Sequence, residues 1–442
     1  IHSRRLGPML KRCPLLLVVL LFCICVPMRA SAVLTIEITG GVTAGMPVAI
    51  VPFEWRGQGT PPVDLRNVIA ADLHRSGRFD ILPVEDFLSR PSDDREVRYK
   101  DWRLIKAEAL VVGQMKALGG NRFEVRFQLF DVFQEKQLAG YRWEVDATRL
   151  RKIAHQTSDH IVKALIGKGP AFDSRIAYVT VEQVASKGPT YRLMVADSDG
   201  FSPREILLSS DPILSPAWSP DGRYLAYVSF EDGWSKVVLQ EIDTGNRVKM
   251  SEYPGINGAP AWSPDGQQLA LSLSHEGNSE IYVMDIKSRR LKRLTDHSAI
   301  DTEPAWAPNG RSLIFTSDRS GRPQIYRVPT AGGKAVRLTF EGRENSRPSM
   351  SPDGKNMLMV TNNGNGHQIG VFSMSNKRLR TLTSGPLDES PTFAPNGSMA
   401  LYATKRGGRE LLVVVSADGR ARQALRFQQG AVRSPAWSPV NR

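Results

Sequence analysis

Three cysteines occur in 442 residues, Cys13, Cys23 and Cys25. Everything after position 25 is therefore without a thiol nucleophile, a disulfide or a cysteine metal site. Catalytic signatures are missing as well: there is no Gly-x-Ser-x-Gly elbow, no His-Glu-x-x-His and no phosphate loop ending in Gly-Lys-Ser/Thr. Gly364-Asn365-Gly366 has a further glycine at 370, but it falls between expected strands and not between strand and helix, so no dinucleotide site is expected. His155 and His160 stand five apart on an expected helix, about 140° apart around its axis. They are read as a solvated or capping pair, not as chelating ligands. Asp197-Ser198-Asp199-Gly200 has two oxygen ligands of a calcium loop and lacks the downstream glutamate, which leaves a hairpin turn. No metal and no cofactor are expected.

Long apolar runs are equally scarce. The one at residues 15–26 follows Arg4, Arg5, Lys11 and Arg12 and precedes Ala30-Ser31-Ala32, the pattern of a secretory signal peptide over residues 1–32, with cleavage before Val33. It is short for a membrane span. Ser3-Arg4-Arg5 lacks the apolar residues that follow a twin-arginine signal, so ordinary secretion is expected. Neither Cys23 nor Cys25 follows a small residue as a lipoprotein cysteine would, so the mature protein is expected to be soluble, with no direct membrane insertion. Losing the signal lowers the formal net charge from +13 to +8. The excess is scattered. Its densest pieces, from Lys287 to Arg293 and Lys377-Arg378-Leu379-Arg380, read as solvated hairpin turns, with attraction to an anionic polymer on that face as the alternative and no nucleic acid expected.

What the chain does have is a repeat. Pro216-Ala217-Trp218-Ser219-Pro220-Asp221-Gly222 returns from Pro260 and Pro304, and less perfectly from Pro348, Pro391 and Pro435, at spacings of 44, 44, 44, 43 and 44 residues. Such a period, with strand-like runs between turn signals, marks a β-propeller with one four-stranded blade per repeat. The sixth copy stops at the terminus, whereas residues 175–208 look like outer strands without a motif before them. The ring is therefore expected to close by pairing the C-terminal strand with the segment near residue 175, giving six blades. Ser-Pro-Asp-Gly suits a tight turn from the innermost strand to the second. Trp218, Trp262, Trp306, Trp437 and the substitute Phe393 are expected in the core between blades.

Residues 33–170 lack the repeat and mix periodicities. A strand near Val48, a helix through Leu65, Val68, Ile69 and Leu73 ending at Gly77, three strands and a closing helix from Leu150 to Leu165 make an α/β domain. Residues 168–173 are the expected linker to a propeller over residues 171–442.

With no acid, base and nucleophile assembled, binding remains. The loops leading into the inner strands and those joining strands two and three emerge at one mouth of the channel; the Pro-Asp-Gly turns ring the other. Carboxylates, amides and the apolar Ile256 in the first set suit a protein surface.

The whole chain resembles the TolB family, the periplasmic component of the Tol-Pal envelope system. The resemblance rests on the strand from Val48 to Trp55, on Ala70-Ala71-Asp72-Leu73, on the Pro-Ala-Trp-Ser-Pro-Asp-Gly repeats, and on Asn257-Gly258-Ala259-Pro260, Thr302-Glu303-Pro304 and Ser434-Pro435-Ala436-Trp437. It implies a non-enzymatic periplasmic adaptor. Its mouth binds the peptidoglycan-associated lipoprotein Pal through Ile256, Asn257, Ala259, Thr302 and Glu303, with Leu214, Asp388 and Glu389 beside them. Its mature N-terminus, Val33, Leu34, Thr35, Ile36, Glu37 and Ile38, engages the inner-membrane protein TolA. One departure is visible: relatives often carry histidine where this chain has Ile256. The alternatives are a small-ligand or wall-fragment binder using the channel, and a hydrolase using Asp301 or Glu303.

Overall fold

In the computed structural model the described residues are 36–38, 45–184, 188–425 and 430–441. The expected signal peptide with its cysteines and cleavage site, and Val33, Leu34 and Thr35, lie outside them. The chain runs through β1 (Ile36–Ile38), β2 (Met46–Ile50), β3 (Glu54–Arg56), α1 (Leu65–Arg75), β4 (Phe79–Ile81), α2 (Tyr99–Leu104), β5 (Ala109–Gly119), β6 (Arg122–Asp131), β7 (Lys136–Asp146) and α3 (Leu150–Ile166). The propeller opens with β8 (Ser174–Val184), β9 (Gly188–Asp197) and β10 (Arg204–Ser209).

The N-terminal α/β region is one sheet, ordered β4-β2-β5-β6-β7, with β3 also on β5. Strand alternation sends Val48 and Ile50 to the face covered by α1 and α3, and Ala49 and Val51 to the face holding Trp102 of α2. Asp64 caps α1 by accepting from the Asn67 N–H at 3.0 Å, and Gly77, at φ +69°, follows its end.

Six four-stranded blades follow. In blade 1 the C-terminal strand, Ala431–Val440, lies innermost against β8, with β9 and β10 outside. Blades 2 to 6 have inner strands Ile213–Trp218, Asn257–Trp262, Asp301–Trp306, Glu344–Met350 and Asp388–Phe393. Residues 257–259, 301–303 and 388–390 thus belong to strands and not to the loops that enter them. Trp218 donates its indole N–H to the carbonyl of Ala436 at 3.2 Å, Trp262 to Ala217 at 3.1 Å and Trp306 to Ala261 at 3.0 Å. Blades 2, 3 and 4 are thus each stapled to the blade before, whereas Trp437 of blade 1 donates within its own blade to the Ser174 hydroxyl at 2.8 Å. Trp262 departs from expectation in being only half-buried.

Every inner strand carries a bulge at its Pro. Register breaks fall between Leu214 and Ala217, Gly258 and Ala261, Thr302 and Ala305, Ser346 and Ser349, Glu389 and Thr392, and Arg433 and Ala436. Proline has no N–H to give the ladder and drives its predecessor out of the right-handed helical region. Those predecessors, Ser215, Ala259, Glu303, Arg347, Ser390 and Ser434, sit at φ between +47° and +54°. Inside the Pro-Asp-Gly turns, the Gly222 N–H reaches Ser219 O at 2.9 Å, and the Ser219 hydroxyl links Asp221 to the Tyr224 N–H.

One sequence expectation needs correcting. His155 and His160 are not solvated: His155 is buried against Asp72, and His160 stacks on Tyr141 with ring centroids 3.8 Å apart. Aromatic residues on β6 and β7 give His160 its face, a contact that helical spacing does not reveal. The stretch after α3 is tied down at its end. The buried Asp159 carboxylate accepts from the N–H groups of Ala171, Phe172 and Asp173 at 2.7, 2.9 and 3.0 Å. Burial lifts its pKa to about 6 against those three donors, so it stays mainly ionised at neutral pH.

The α/β region rests on the Pro-Asp-Gly face, where Asn396 donates to Gly169 O at 2.7 Å and Arg151 pairs with Asp199. The opposite mouth is left open. β1 adds a fifth strand to blade 6, pairing Ile36, Glu37 and Ile38 with Gln423, Arg422 and Ala421.

Candidate functional site

The open mouth is built by one device used in blades 3, 5 and 6. The first buried polar residue of the inner strand folds the loop before it. The Asn257 amide accepts from Tyr253 N at 2.9 Å and from the Ser251 hydroxyl, and donates to Tyr253 O at 2.6 Å. Asp388 accepts from Gly385 N at 3.1 Å and from the hydroxyls of Thr383 and Thr404. Asn345 donates to Glu341 O at 2.8 Å and to Gln324 at 2.9 Å, whereas Asp301 pairs with Arg319 of the loop joining the second and third strands of its blade. All four are fully buried. Asn257 and Asp388, carried over as contact residues, therefore shape the mouth and do not face out of it.

What they present is the residue in front. Ile256, Ile300 and Leu387 precede Asn257, Asp301 and Asp388, and are 55%, 51% and 52% exposed. Leu214, Trp234 and Phe340 are exposed on the same side, so the crown is apolar in every blade from 2 to 6. Exposed aliphatic and aromatic side chains grouped on one rim mark an interaction surface. Sequence reading singled out Leu214 and Ile256, placed Trp234 in a loop of the same mouth, and missed Ile300, Leu387 and Phe340. The signal lay in the 44-residue period, which places Ile300 at the position of Ile256.

Inside the crown the six left-handed residues line a central cavity of about 450 Å³. Ser215, Ala259, Ser390 and Ser434 are small, and Glu303 and Arg347 carry the charge. Arg347 donates its Nε to Glu303 at 3.0 Å and its backbone N–H to the same carboxylate at 2.9 Å, and it reaches the Ser390 hydroxyl. Thr316 adds a hydrogen bond to Glu303 at 2.9 Å. One guanidinium thus spans blades 4, 5 and 6. Ala259 and Glu303 of this ring are half-buried, as are their neighbours Thr302 and Glu389.

The Asp197-Ser198-Asp199-Gly200 turn joins β9 to β10 on the other face. With His155 it brings three ligand atoms within 4.8 Å of one another. Arg151 holds Asp199 and stands 3.9 Å from Asp197, so a guanidinium already supplies the cation there. The fit to a metal is poor.

Among the described residues no helix is long and apolar enough to cross a membrane. The family model of the TolB amino-terminal domain matches residues 34–138, and that of the TolB beta propeller domain matches residues 162–441. The chain is 62% identical to the Tol-Pal system protein TolB of Nitrosococcus oceani over 92% of its own length and 94% of that protein. It is 58% identical to that of Thioalkalivibrio sulfidiphilus over 95% and 97%. The crystal structure of TolB from Acinetobacter baumannii, 41% identical, superposes over 92% of this chain and all of that one with a TM-score of 0.83. The chain belongs to the TolB family of Tol-Pal system proteins.

Proposed function

We propose that this protein is a non-enzymatic periplasmic adaptor that grips Pal with the open mouth and offers its mature N-terminus to TolA. The observation that carries the proposal is the apolar crown on the face opposite the α/β region, with Leu214, Ile256, Ile300 and Leu387 exposed around a polar channel. Buried apolar anchors inside a polar rim supply most of the energy of a protein interface. Ala259, Thr302, Glu303 and Glu389 supply the rim, while Asn257 and Asp388 hold the loops in shape. Ile256 in place of the histidine frequent among relatives makes this crown more apolar, and the partner surface is expected to match.

The carboxylates that a hydrolase would need are occupied. Arg319 engages Asp301, and Arg347 engages Glu303. For TolA, strand addition is the proposed mode, using residues 33–38. β1 on blade 6 is then the docked arrangement, and TolA competes for the same backbone. Pal shifts that balance only to the extent that it binds the two arrangements with different affinity. Held in the mouth, Pal is kept from peptidoglycan; TolA engagement releases it to the wall, in support of outer-membrane integrity and constriction at division. The test is calorimetric titration of the mature chain with the soluble domain of Pal. Saturable binding lost in Ile300→Glu is expected, and heat unchanged by that substitution would overturn the placement.

A further inference from the structure

A second cleft, independent of the mouth, lies where the α/β region meets blades 5 and 6. Its volume is about 540 Å³, within the range of small-molecule sites. Cations enter it from both sides: Arg78 and Lys168 from the α/β region, Arg378 and Arg380 from the outer hairpin of blade 5. Lys168 and Arg378 form no ion pair within 4.0 Å among the described residues. The two acids present offset part of this charge: Asp418 stands 3.8 Å from Arg78, and the Ser351 hydroxyl, with Lys168 adding less, holds the Asp353 carboxyl below the usual range. Asp353 accepts from the Ser351 hydroxyl at 2.6 Å and the Lys355 N–H at 3.1 Å, and Asp418 from the Ser416 hydroxyl at 2.6 Å and the Arg420 N–H at 3.1 Å. Between the cations the Asn356 amide and the Ser398 hydroxyl face the cleft without a side-chain partner among the described residues.

We propose that this cleft binds a small dianion carried on a hydroxylated body, its phosphate or carboxylate groups held by Lys168 on one side and Arg378 on the other. Four cations and two carboxylates line the cleft, so its net charge is positive; an anion bound there offsets that excess and gains charge-assisted hydrogen bonds. The amide and hydroxyl between suit sugar hydroxyls better than an apolar chain. Because the groups come from two parts of the fold, occupancy also clamps the α/β region onto the propeller.

The mature chain would be titrated in low-salt buffer with inorganic pyrophosphate and, separately, with a cell-wall disaccharide tetrapeptide bearing its carboxylates. The two probes separate a phosphate source from a carboxylate one. Saturable binding of at least one probe is expected, with affinity lowered about tenfold or more in Lys168→Glu and in Arg378→Glu, and with salt sensitivity. Arg290→Glu, at the equivalent hairpin position of blade 3, is the control and leaves affinity unchanged. All three residues are exposed, so the variants keep the parental melting temperature without ligand. No saturable binding of either probe, or equal loss in Arg290→Glu, overturns the proposal.

Discussion

The Nδ1 of His155 lies 2.7 Å from Oδ2 of Asp72, joining α3 to α1 where both side chains are buried. The same oxygen accepts from Ser158 at 2.8 Å, and the other takes Arg75 at 2.6 Å. Nε2 of His155 stands 3.7 Å from Asp199 in blade 1, which extends the network across the seam between the two parts of the fold. Burial opposes protonation of the ring, but Asp72 and Asp199 outweigh it and hold its pKa at about 8.

That value sets a pH dependence. A histidine whose folded pKa exceeds its unfolded 6.5 contributes stability fully below pH 6.5 and loses it as pH rises through 8. From pH 6 to pH 9 the unfolding free energy should fall by about 2 kcal/mol through this group. Urea titrations at each pH should show the fall in the parent and lose most of it in His155→Gln. An equal slope in both would contradict the assignment.

The indole staples predict unequal costs. Trp306→Ala, at a position 8% exposed, should destabilise by about 3 to 5 kcal/mol. Trp262→Ala should cost less, because Trp262 borders a cleft of about 630 Å³ between blades 2 and 3 and keeps part of its surface in water. Chemical denaturation of the two variants checks the order.

Asn257→Ala should act through the loop it folds. Removing the amide leaves the Ser251 hydroxyl and the Tyr253 N–H without their acceptor, a loss of about 1 to 3 kcal/mol. Amide hydrogen exchange should speed up over residues 252–256 and stay unchanged in the matching loop of blade 6. Uniform exchange across the propeller would point to a global effect.

Deleting residues 33–43 should abolish binding to TolA and spare binding to Pal, measured on the same preparation by calorimetry. Loss of both would remove the separation between strand and mouth.

The repeat made the propeller readable because each blade needs the same turn, the same small residue and the same wedge. Pro-Asp-Gly is a local signal, and the unfinished sixth copy told where the ring closes. The crown was only half legible. Ile256 and Leu214 stood out, whereas Ile300 and Leu387 look like ordinary strand residues until the buried Asp301 and Asp388 are seen behind them. Long-range partners were invisible for a simple reason. Arg347 meets Glu303 from 44 residues away, and His155 meets Asp72 from 83. No periodicity records such pairings; they exist only once the sheet and ring have been assembled.

The central claim is that the open mouth is the Pal site. The direct measurement is the affinity of the mature chain for the soluble domain of Pal from the same organism, with Thr302→Arg and Ala259→Arg as disruptors. Both positions are half-buried, Ala259 lining the channel and Thr302 preceding the channel residue Glu303, so the added side chains would crowd a partner seated there. The account predicts tight binding by the parent and its loss in both variants, with melting temperatures unchanged. No binding by the parent, or full binding by both variants, would contradict it.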